Sequence, residues 1–290
     1  GFIYGVPRTI NGRSSAGDAD AFLFQPRLVI GFPLIGSSSG SEAKDSNMDE
    51  KIKDLVFGAV FGEAIGDALG HPIEFKKTHK VEDLPSITDP AENKFTDDTQ
   101  MFCAIGEALL DAPPHIDEDT FMACVADRFD RWRREPLGGS HRAPGGNCMD
   151  AVRKLGAGVH WTKAGGLDFK GNGSAMRSGI VGAYYWRNPE YAFRIGALTS
   201  VCTHNNLESL LGAGMVAFLV AHSIQNGNWA EAIGHGLRLC GDFPKTLPFY
   251  PQQVKFGVKY DEQNPWYAVS HFGAAFALGC SVNMPISIAI

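Results

Sequence analysis

The sequence lacks most features of secreted, membrane-spanning or nucleic-acid-binding proteins. Its six cysteines are widely spaced and include no CxxC pair, so neither a disulfide framework nor a cysteine-rich zinc site is indicated. No uninterrupted run of 18 apolar residues occurs, and we therefore predict no membrane-spanning helix. The formal net charge of -6 provides no basic surface to neutralise a phosphate backbone, which disfavours nucleic-acid binding. These absences favour a cytoplasmic protein with reduced thiols.

Alternating apolar patterns, which are typical of strands, are nearly absent as well, and helical periodicity takes their place. The first helical pattern follows Met48, where apolar residues recur every three or four positions. Further helices are predicted at 98–111, 118–134, 148–157, 174–186, 189–201, 206–225, 228–240 and 265–280. The connections at 135–147, 163–174 and 241–253 are rich in glycine and proline, so their backbone groups are free to face a ligand. The pattern predicts an all-α domain with functional loops.

The N-terminal region differs in character from the rest of the chain. The sequence begins at Gly1 rather than methionine, and a tract rich in serine and glycine occupies 36–46, just before Met48. We predict that residues 1–47 are a non-native or disordered tail and that residues 48–290 form one domain.

Two adjacent carboxylates stand between two threonines in "FTDDTQM" (95–101), at the start of a predicted helix. A helix N-terminus needs one capping oxygen and gains from an acidic first turn, so one interpretation is a well-capped helix. Neighbouring carboxylates repel each other, however, unless a cation or an array of donors stabilises them. Carboxylate and hydroxyl oxygens are the ligands that Mg²⁺ prefers, so the second interpretation is a metal site.

Two other acidic residues precede this motif, and the sequence suggests different roles for them. Glu74 follows the helix end marked by Gly70 and Pro72, where a turn can present its carboxylate to the same cation or simply to solvent. Asp67 lies within the helix itself. We expect Asp67 to accept hydrogen bonds from a loop backbone rather than to perform chemistry.

Two glycine-rich segments and one histidine complete the set of candidates. Gly171 and Gly173 precede a predicted helix, where backbone N–H groups can bind a diphosphate or can form an ordinary turn capped by Ser174. The segment "APGGN" (143–147) allows the same two interpretations. His204 precedes another helix, where a histidine can be a structural group or a ligand-binding one.

Taken together, these segments resemble the ADP-ribosylglycohydrolase family. The matching pieces, in family order, are "GAVFGEAIGDALGHPIEF" (58–75), "FTDDTQM" (95–101), "APGGN" (143–147), "GNGSAMRSG" (171–179) and "THNNLESLLGAGMVA" (203–217). The resemblance covers about 52 to 285 and implies a single multi-helix orthogonal bundle that functions as a monomer. It also implies two Mg²⁺ or Mn²⁺ ions in a cleft.

The resemblance assigns roles to particular residues. It implies metal ligation by Thr96, Asp97 and Asp98, and catalysis by Glu74 together with the two aspartates. The implied ADP-ribose-binding residues are Gly171, Asn172, Gly173, Ser174, Ala175, Met176 and His204. The implied reaction is hydrolysis of the glycosidic bond between ADP-ribose and a protein side chain or a related conjugate, through an oxocarbenium-like transition state. Glu74 would be a general acid/base or a switchable metal ligand.

One part of the family pattern is absent from this sequence. The family places its other metal ligands in an Asp-x-Asp-Thr motif near the C-terminus, and no such motif occurs here. We therefore expect either a chain truncated at Ile290, with weak or no activity, or a natural variant without the second half of the metal centre. The alternative function is that of an inactive relative, which binds ADP-ribose or serves as a structural protein like the lens crystallins derived from this family.

Overall fold

A computed structural model describes residues 42–71, 94–112, 116–167, 172–225 and 229–243. The helices in these ranges are α1 (Glu42–Gly70), α2 (Asp97–Asp111), α3 (Glu118–Arg134), α4 (Gly146–Gly156), α5 (Trp161–Ala164), α6 (Gly179–Tyr184), α7 (Pro189–Val201), α8 (Leu207–Gln225) and α9 (Trp229–Asp242). These ranges contain no strand, and their single β-type contact is an isolated bridge between Gly166 and His204. The prediction of an all-α fold is confirmed. The predicted helix at 265–280 lies outside the described residues.

Capping side chains explain where several helices begin. The Thr96 side chain accepts a hydrogen bond from the Asp98 amide at the start of α2. Asp117 accepts one from the Thr120 amide before α3, and Asn188 caps α7. Each cap satisfies an amide that has no partner within its own helix. Helix α1 begins at Glu42, ahead of Met48.

Helix α8 is the centre of the packing and contacts α6, α7 and α9. It is long and apolar enough to cross a membrane, but 78% of its most apolar window is buried inside the fold, as expected of a core helix.

Glycines allow the helices next to α8 to approach it closely. A Cβ at Gly182 of α6 would lie 2.3 Å from the Ala217 carbonyl oxygen, and one at Gly196 of α7 would lie 2.7 Å from the Ala217 Cβ. Larger residues at these two positions would push α6 and α7 away from the core.

The prediction of one helix over 174–186 is wrong. The segment forms a 3₁₀ turn at Ala175–Arg177 and then the separate helix α6. The Ser178 amide donates to the Ala175 carbonyl, which is the spacing of a 3₁₀ turn, and the Ser178 hydroxyl donates to the Ser174 carbonyl. This tighter turn places the Arg177 side chain in the interior. A loop was predicted at 163–174, but its first two residues belong to helix α5, which ends at Ala164.

Candidate functional site

The start of α2 is held in place by one buried carboxylate from α1. Asp67 Oδ1 accepts the Thr96 hydroxyl at 2.7 Å, and Asp67 Oδ2 accepts the Thr96 amide at 2.7 Å. Asp67 Oδ2 also accepts the amide and the hydroxyl of Thr99, at 3.2 and 2.6 Å. The expectation that Asp67 accepts hydrogen bonds from loop backbone is therefore confirmed. These four bonds join α1 to α2 and fix the orientation of the first turn of α2.

This turn presents oxygen atoms of the kind that a hard cation binds. Asp97 and Asp98 are both buried, with 6% and 4% of their surface exposed. The Thr96 hydroxyl donates to Asp67 and accepts the Asp98 amide, which leaves one lone pair on its oxygen. Thr96 is thus a helix cap, as the first interpretation of the motif predicted, and the metal interpretation stays a prediction.

A third acidic side chain, Glu63 of α1, lies beneath this turn. It is 1% exposed, and neither of its carboxylate oxygens accepts a hydrogen bond from the described part of the chain. Burial, and secondly the negative charges of Asp98 and Asp67, raise the pKa of Glu63 well above its ordinary value. The Glu63 carboxyl group lies close enough to α6 that a Cβ at Gly179 would be 3.3 Å from its Oε2. Glu63 therefore keeps its proton to a higher pH than an exposed glutamate does, next to a pair of carboxylates.

The chemistry of the donor set fits Mg²⁺ or Mn²⁺, but the set is incomplete within the described ranges. No group of three histidine, cysteine or acidic side chains in these ranges is arranged to hold a metal ion. Thr96, Asp97 and Asp98 would supply one side of a metal site. Glu74, predicted to join them, lies outside the described residues.

The predicted functional loop at 135–147 packs directly against the start of α2. The Gln100 side-chain amide donates to the carbonyls of Leu137 and Ser140, at 2.6 and 2.8 Å. The Asp97 amide donates to the Arg142 carbonyl at 2.8 Å. The glycines of "APGGN" then lead into α4, where added Cβ atoms at positions 145 and 146 would meet nothing within 4 Å. This loop therefore borders the acidic turn and leaves open space beside it.

On the other side of the site, the 172–178 loop packs against His204. A Cβ at Gly173 would lie 2.7 Å from His204 Cε1 and 3.0 Å from Nε2, so residue 173 must be glycine for this contact. The Ser174 hydroxyl donates to the Ser209 carbonyl at 3.2 Å, and the Met176 amide donates to the Asn172 carbonyl at 3.1 Å. The structure thus brings together the predicted ligand-binding loop, from Asn172 to Met176, and His204. Gly171 lies outside the described residues.

His204 is a neutral imidazole in this setting. It is 4% exposed, and burial, with a smaller effect of the Arg177 charge, lowers the pKa of His204 to about 3. Its Nδ1 lies 2.9 Å from the Thr203 hydroxyl oxygen. A neutral histidine can donate or accept a hydrogen bond but cannot act as a cationic acid at neutral pH.

Arg177 connects the two sides of the site. Its guanidinium is fully buried and lies over the Phe129 ring, 4.5 Å from the ring centroid. It donates to the Thr199 carbonyl at 3.1 Å and to the Thr203 hydroxyl at 2.7 Å, and it lies 3.3 Å from the sulfur of Met101 on α2. No acidic side chain forms an ion pair with it among the described residues.

The sequence reasoning missed three residues of this site. Glu63 was visible as an acidic residue between the apolar positions of a buried helix. Arg177 was visible inside the "GNGSAMRSG" segment, where a charged residue follows an apolar pair. Thr203 carried no signal, because its role depends on a contact with Arg177, 26 positions away in the sequence.

Comparison with known proteins agrees with this architecture. The family model described as ADP-ribosylglycohydrolase matches residues 48–277. An uncharacterized protein from Archaeoglobus fulgidus is 26% identical over 180 residues, which cover 62% of this chain and 55% of that protein. The uncharacterized protein YegU from Escherichia coli is 28% identical over 144 residues, which cover 48% of this chain and 41% of that protein. The chain thus spans about half the length of these curated relatives. With most of its length matched by the family model, the chain belongs to the ADP-ribosylglycohydrolase family.

Proposed function

We propose that the chain carries the site of a divalent-metal-dependent glycohydrolase that releases ADP-ribose from a protein side chain or a related conjugate. The observation that carries this proposal is the buried Thr96–Asp98 turn. The four hydrogen bonds that Thr96 and Thr99 donate to Asp67 would be an unusually strong fixation for a turn whose single role is to start a helix.

The described side chains suggest how the reacting groups are handled. Thr96, Asp97 and Asp98 would hold a divalent cation, which when bound would supply Lewis-acid stabilisation to the ribose oxygens. The negative charge of Asp97 and Asp98 also favours the positive charge that develops on the ribose ring in an oxocarbenium-like transition state. Glu74 remains our proposed general acid/base or switchable ligand.

The opposite side of the site would bind the rest of ADP-ribose. Gly173 allows the 172–178 loop to pack closely on His204, and neutral His204 offers a hydrogen bond without the repulsion or attraction of a full charge. The 135–147 loop, which borders Asp97, would contact the acceptor part of the substrate. We propose that the chain acts as a monomer in the cytoplasm.

The test is release of free ADP-ribose from ADP-ribosyl-arginine and ADP-ribosyl-serine peptides, with Mg²⁺ or Mn²⁺ and with EDTA. We expect metal-dependent release that falls roughly a hundredfold or more in Asp97→Ala and Asp98→Ala. Asp150→Ala is the matched control, because Asp150 is an exposed aspartate on α4 that pairs only with Arg153 among the described residues. Full turnover by the double variant Asp97→Ala/Asp98→Ala would contradict the proposal.

A second readout does not depend on activity. Mg²⁺ that binds the folded chain should raise its melting temperature, by an amount equivalent to about 2.7 kcal/mol at a hundredfold excess over Kd. Asp98→Ala should abolish that shift, and Asp150→Ala should not.

A non-catalytic role is the second candidate, and one observation favours it. The described ranges contain only a partial set of metal donors. If ADP-ribose binds but neither turnover nor a metal-dependent shift is seen, the chain is an ADP-ribose-binding relative rather than a hydrolase.

A further inference from the structure

We infer that Arg177 and Thr203 fix the tautomer of His204, so that Nε2 carries the ring proton and donates a hydrogen bond to a ligand oxygen. Arg177 and Thr203 are positioning residues in this proposal, since they act through His204. The identity of the ligand as ADP-ribose rests on the proposed function. The tautomer itself rests on the hydrogen bonds within the chain.

Three polar groups form a short chain in the interior. The Arg177 guanidinium donates from Nη2 to Thr203 Oγ1 at 2.7 Å. The same oxygen lies 2.9 Å from His204 Nδ1. Arg177 and Thr203 are fully buried, so water cannot replace either partner.

The Thr203 hydroxyl has one hydrogen to donate, and this decides the direction of the hydrogen bond between Thr203 Oγ1 and His204 Nδ1. Arg177 has no acceptor atom, so Thr203 Oγ1 must accept from it. If His204 Nδ1 also donated to Oγ1, the Thr203 hydroxyl hydrogen would have no acceptor among the described residues, and a buried donor without a partner costs about 1–3 kcal/mol. If the hydroxyl instead donates to Nδ1, then the Thr203 hydroxyl hydrogen, the Thr203 oxygen and His204 Nδ1 all have partners. Nδ1 is then unprotonated, and the proton of the neutral ring is on Nε2.

The positive charge of Arg177 acts in the same direction. It draws electron density from the Thr203 oxygen, which makes the hydroxyl a stronger donor toward Nδ1. It also disfavours the imidazolium form, in agreement with the lowered pKa of His204.

The Nε2 edge of the ring faces the ligand-binding loop. A Cβ at Gly173 would be 3.0 Å from Nε2 and 2.7 Å from Cε1, so this edge packs on the Cα of the glycine. Within the described ranges, Thr203 is the single hydrogen-bond partner of the ring. An Nε2–H donor beside this loop suits a phosphate or ribose oxygen, whereas an unprotonated Nε2 would repel one.

The tautomer can be measured directly by two-bond ¹H–¹⁵N correlation NMR on the ¹⁵N-histidine-labelled chain, with the His204 signals assigned by their loss in His204→Gln. We expect the pattern of an unprotonated Nδ1 and a protonated Nε2 in the wild type and in Thr203→Ser, which keeps the hydroxyl. Thr203→Val, which removes the hydroxyl but keeps the shape, should lose this fixed pattern.

Thr199→Val is the matched control, because Thr199 is an equally buried threonine near Arg177. Its hydroxyl donates to the Gly196 carbonyl and does not contact His204. Circular dichroism establishes that each variant is folded. A wild-type Nδ1–H tautomer, or an unchanged His204 pattern in Thr203→Val, would overturn the inference.

Titration calorimetry with free ADP-ribose separates this inference from the proposed function. We expect Thr203→Val to weaken binding by about five- to tenfold, the loss of roughly one hydrogen bond, and Thr203→Ser to restore it. If the Nε2–H tautomer is fixed but ADP-ribose does not bind, the role of Arg177 and Thr203 in fixing the tautomer stands, and ADP-ribose as the ligand is refuted. Equal ADP-ribose affinity in the wild type and Thr203→Val would refute the donation from Nε2.

Discussion

On one side of the candidate site, Asp97 and Asp98 lie buried at the start of α2, and on the other side Arg177 lies buried beneath the 172–178 loop. The two sides stabilise their charge by different means. The guanidinium donates to a carbonyl and a hydroxyl and lies over an aromatic ring, all supplied by the surrounding helices and their connections. The acidic side adds Glu63, which has no hydrogen bond within the described chain, to two neighbouring carboxylates.

This difference bears on the proposal that the acidic side binds a cation. The buried guanidinium of Arg177 has neutral acceptors and an aromatic ring around it, and only its Nε donor lacks a hydrogen-bond partner among the described residues. Neighbouring buried carboxylates that raise the pKa of a third one are in an electrostatic environment that a divalent cation would improve. We therefore keep the metal proposal for the acidic side, and the Arg177 side would support the proposed ligand-binding loop.

The largest effect is expected from Arg177→Ala, which tests whether the guanidinium side is complete by itself. The substitution leaves a cavity and removes the N–H groups that donate to the Thr199 carbonyl and the Thr203 hydroxyl. We therefore expect a loss of about 3–5 kcal/mol in the free energy of unfolding. Urea denaturation measures it. Arg153→Ala, at an exposed ion pair with Asp150, should cost less than about 1 kcal/mol. Similar losses of unfolding free energy in both variants would mean that the buried contacts of Arg177 do not stabilise the fold.

A smaller effect is expected from Asp67→Asn, which tests the support of the acidic turn. Asparagine replaces one of the two oxygens on which four donors converge by an NH2 group. In one orientation this group would face the amides of Thr96 and Thr99, and in the other it would face the Thr96 hydroxyl. We expect a loss of about 2–3 kcal/mol, measured by urea denaturation, and a smaller Mg²⁺-dependent rise in melting temperature. Asp150→Asn is the control. A metal response equal to that of the wild type would show that Asp67 does not position the turn.

The smallest effect is expected from Glu63→Gln, measured in EDTA as stability against pH. In the unfolded chain Glu63 loses its proton near pH ~4.3, whereas the folded chain retains it to higher pH. The folded state thus binds more protons above that pH, and the Glu63 contribution to the free energy of unfolding falls as pH rises, until the folded pKa is passed. We expect the wild type to lose stability as the pH rises from the unfolded to the folded pKa of Glu63, and we expect Glu63→Gln to lack this loss.

Glu50→Gln is the control for this pH series, since Glu50 is an exposed residue of the same helix. Parallel stability curves for the wild type and Glu63→Gln would show that the buried carboxyl group is ionised at moderate pH.

The sequence predicted most of the fold because the helical signals are local. The boundaries of α2, α3, α7 and α8 lie within a residue or so of those predicted, since caps and apolar periodicity mark them. The division of 174–186 could not be predicted, because it depends on the burial of Arg177 among residues from four other elements. Tertiary contacts therefore overrode a sound helical pattern.

The candidate site was predictable only where its residues lie in short local motifs, as was the case for the helices. The acidic turn and the Gly173 loop carry short motifs, and the structure places His204 against that loop. Binding of ADP-ribose by these residues stays a prediction of the family resemblance. The roles of Glu63, Arg177 and Thr203 arise only from their surroundings. A buried charge looks the same in a sequence as an exposed one, and only packing distinguishes the two.

The connection between α7 and α8 suggests an order of assembly for the site. These two helices are neighbours in the sequence and pack tightly through Gly196 and Gly214, so bringing them together closes a short loop at little entropic cost. Thr203 and His204 lie in that connection. The acidic turn instead requires Asp67 to meet Thr96 and Thr99 across 29 and 32 positions. His204 thus belongs to the part of the chain that can form first, and the carboxylates join a support that is already in place.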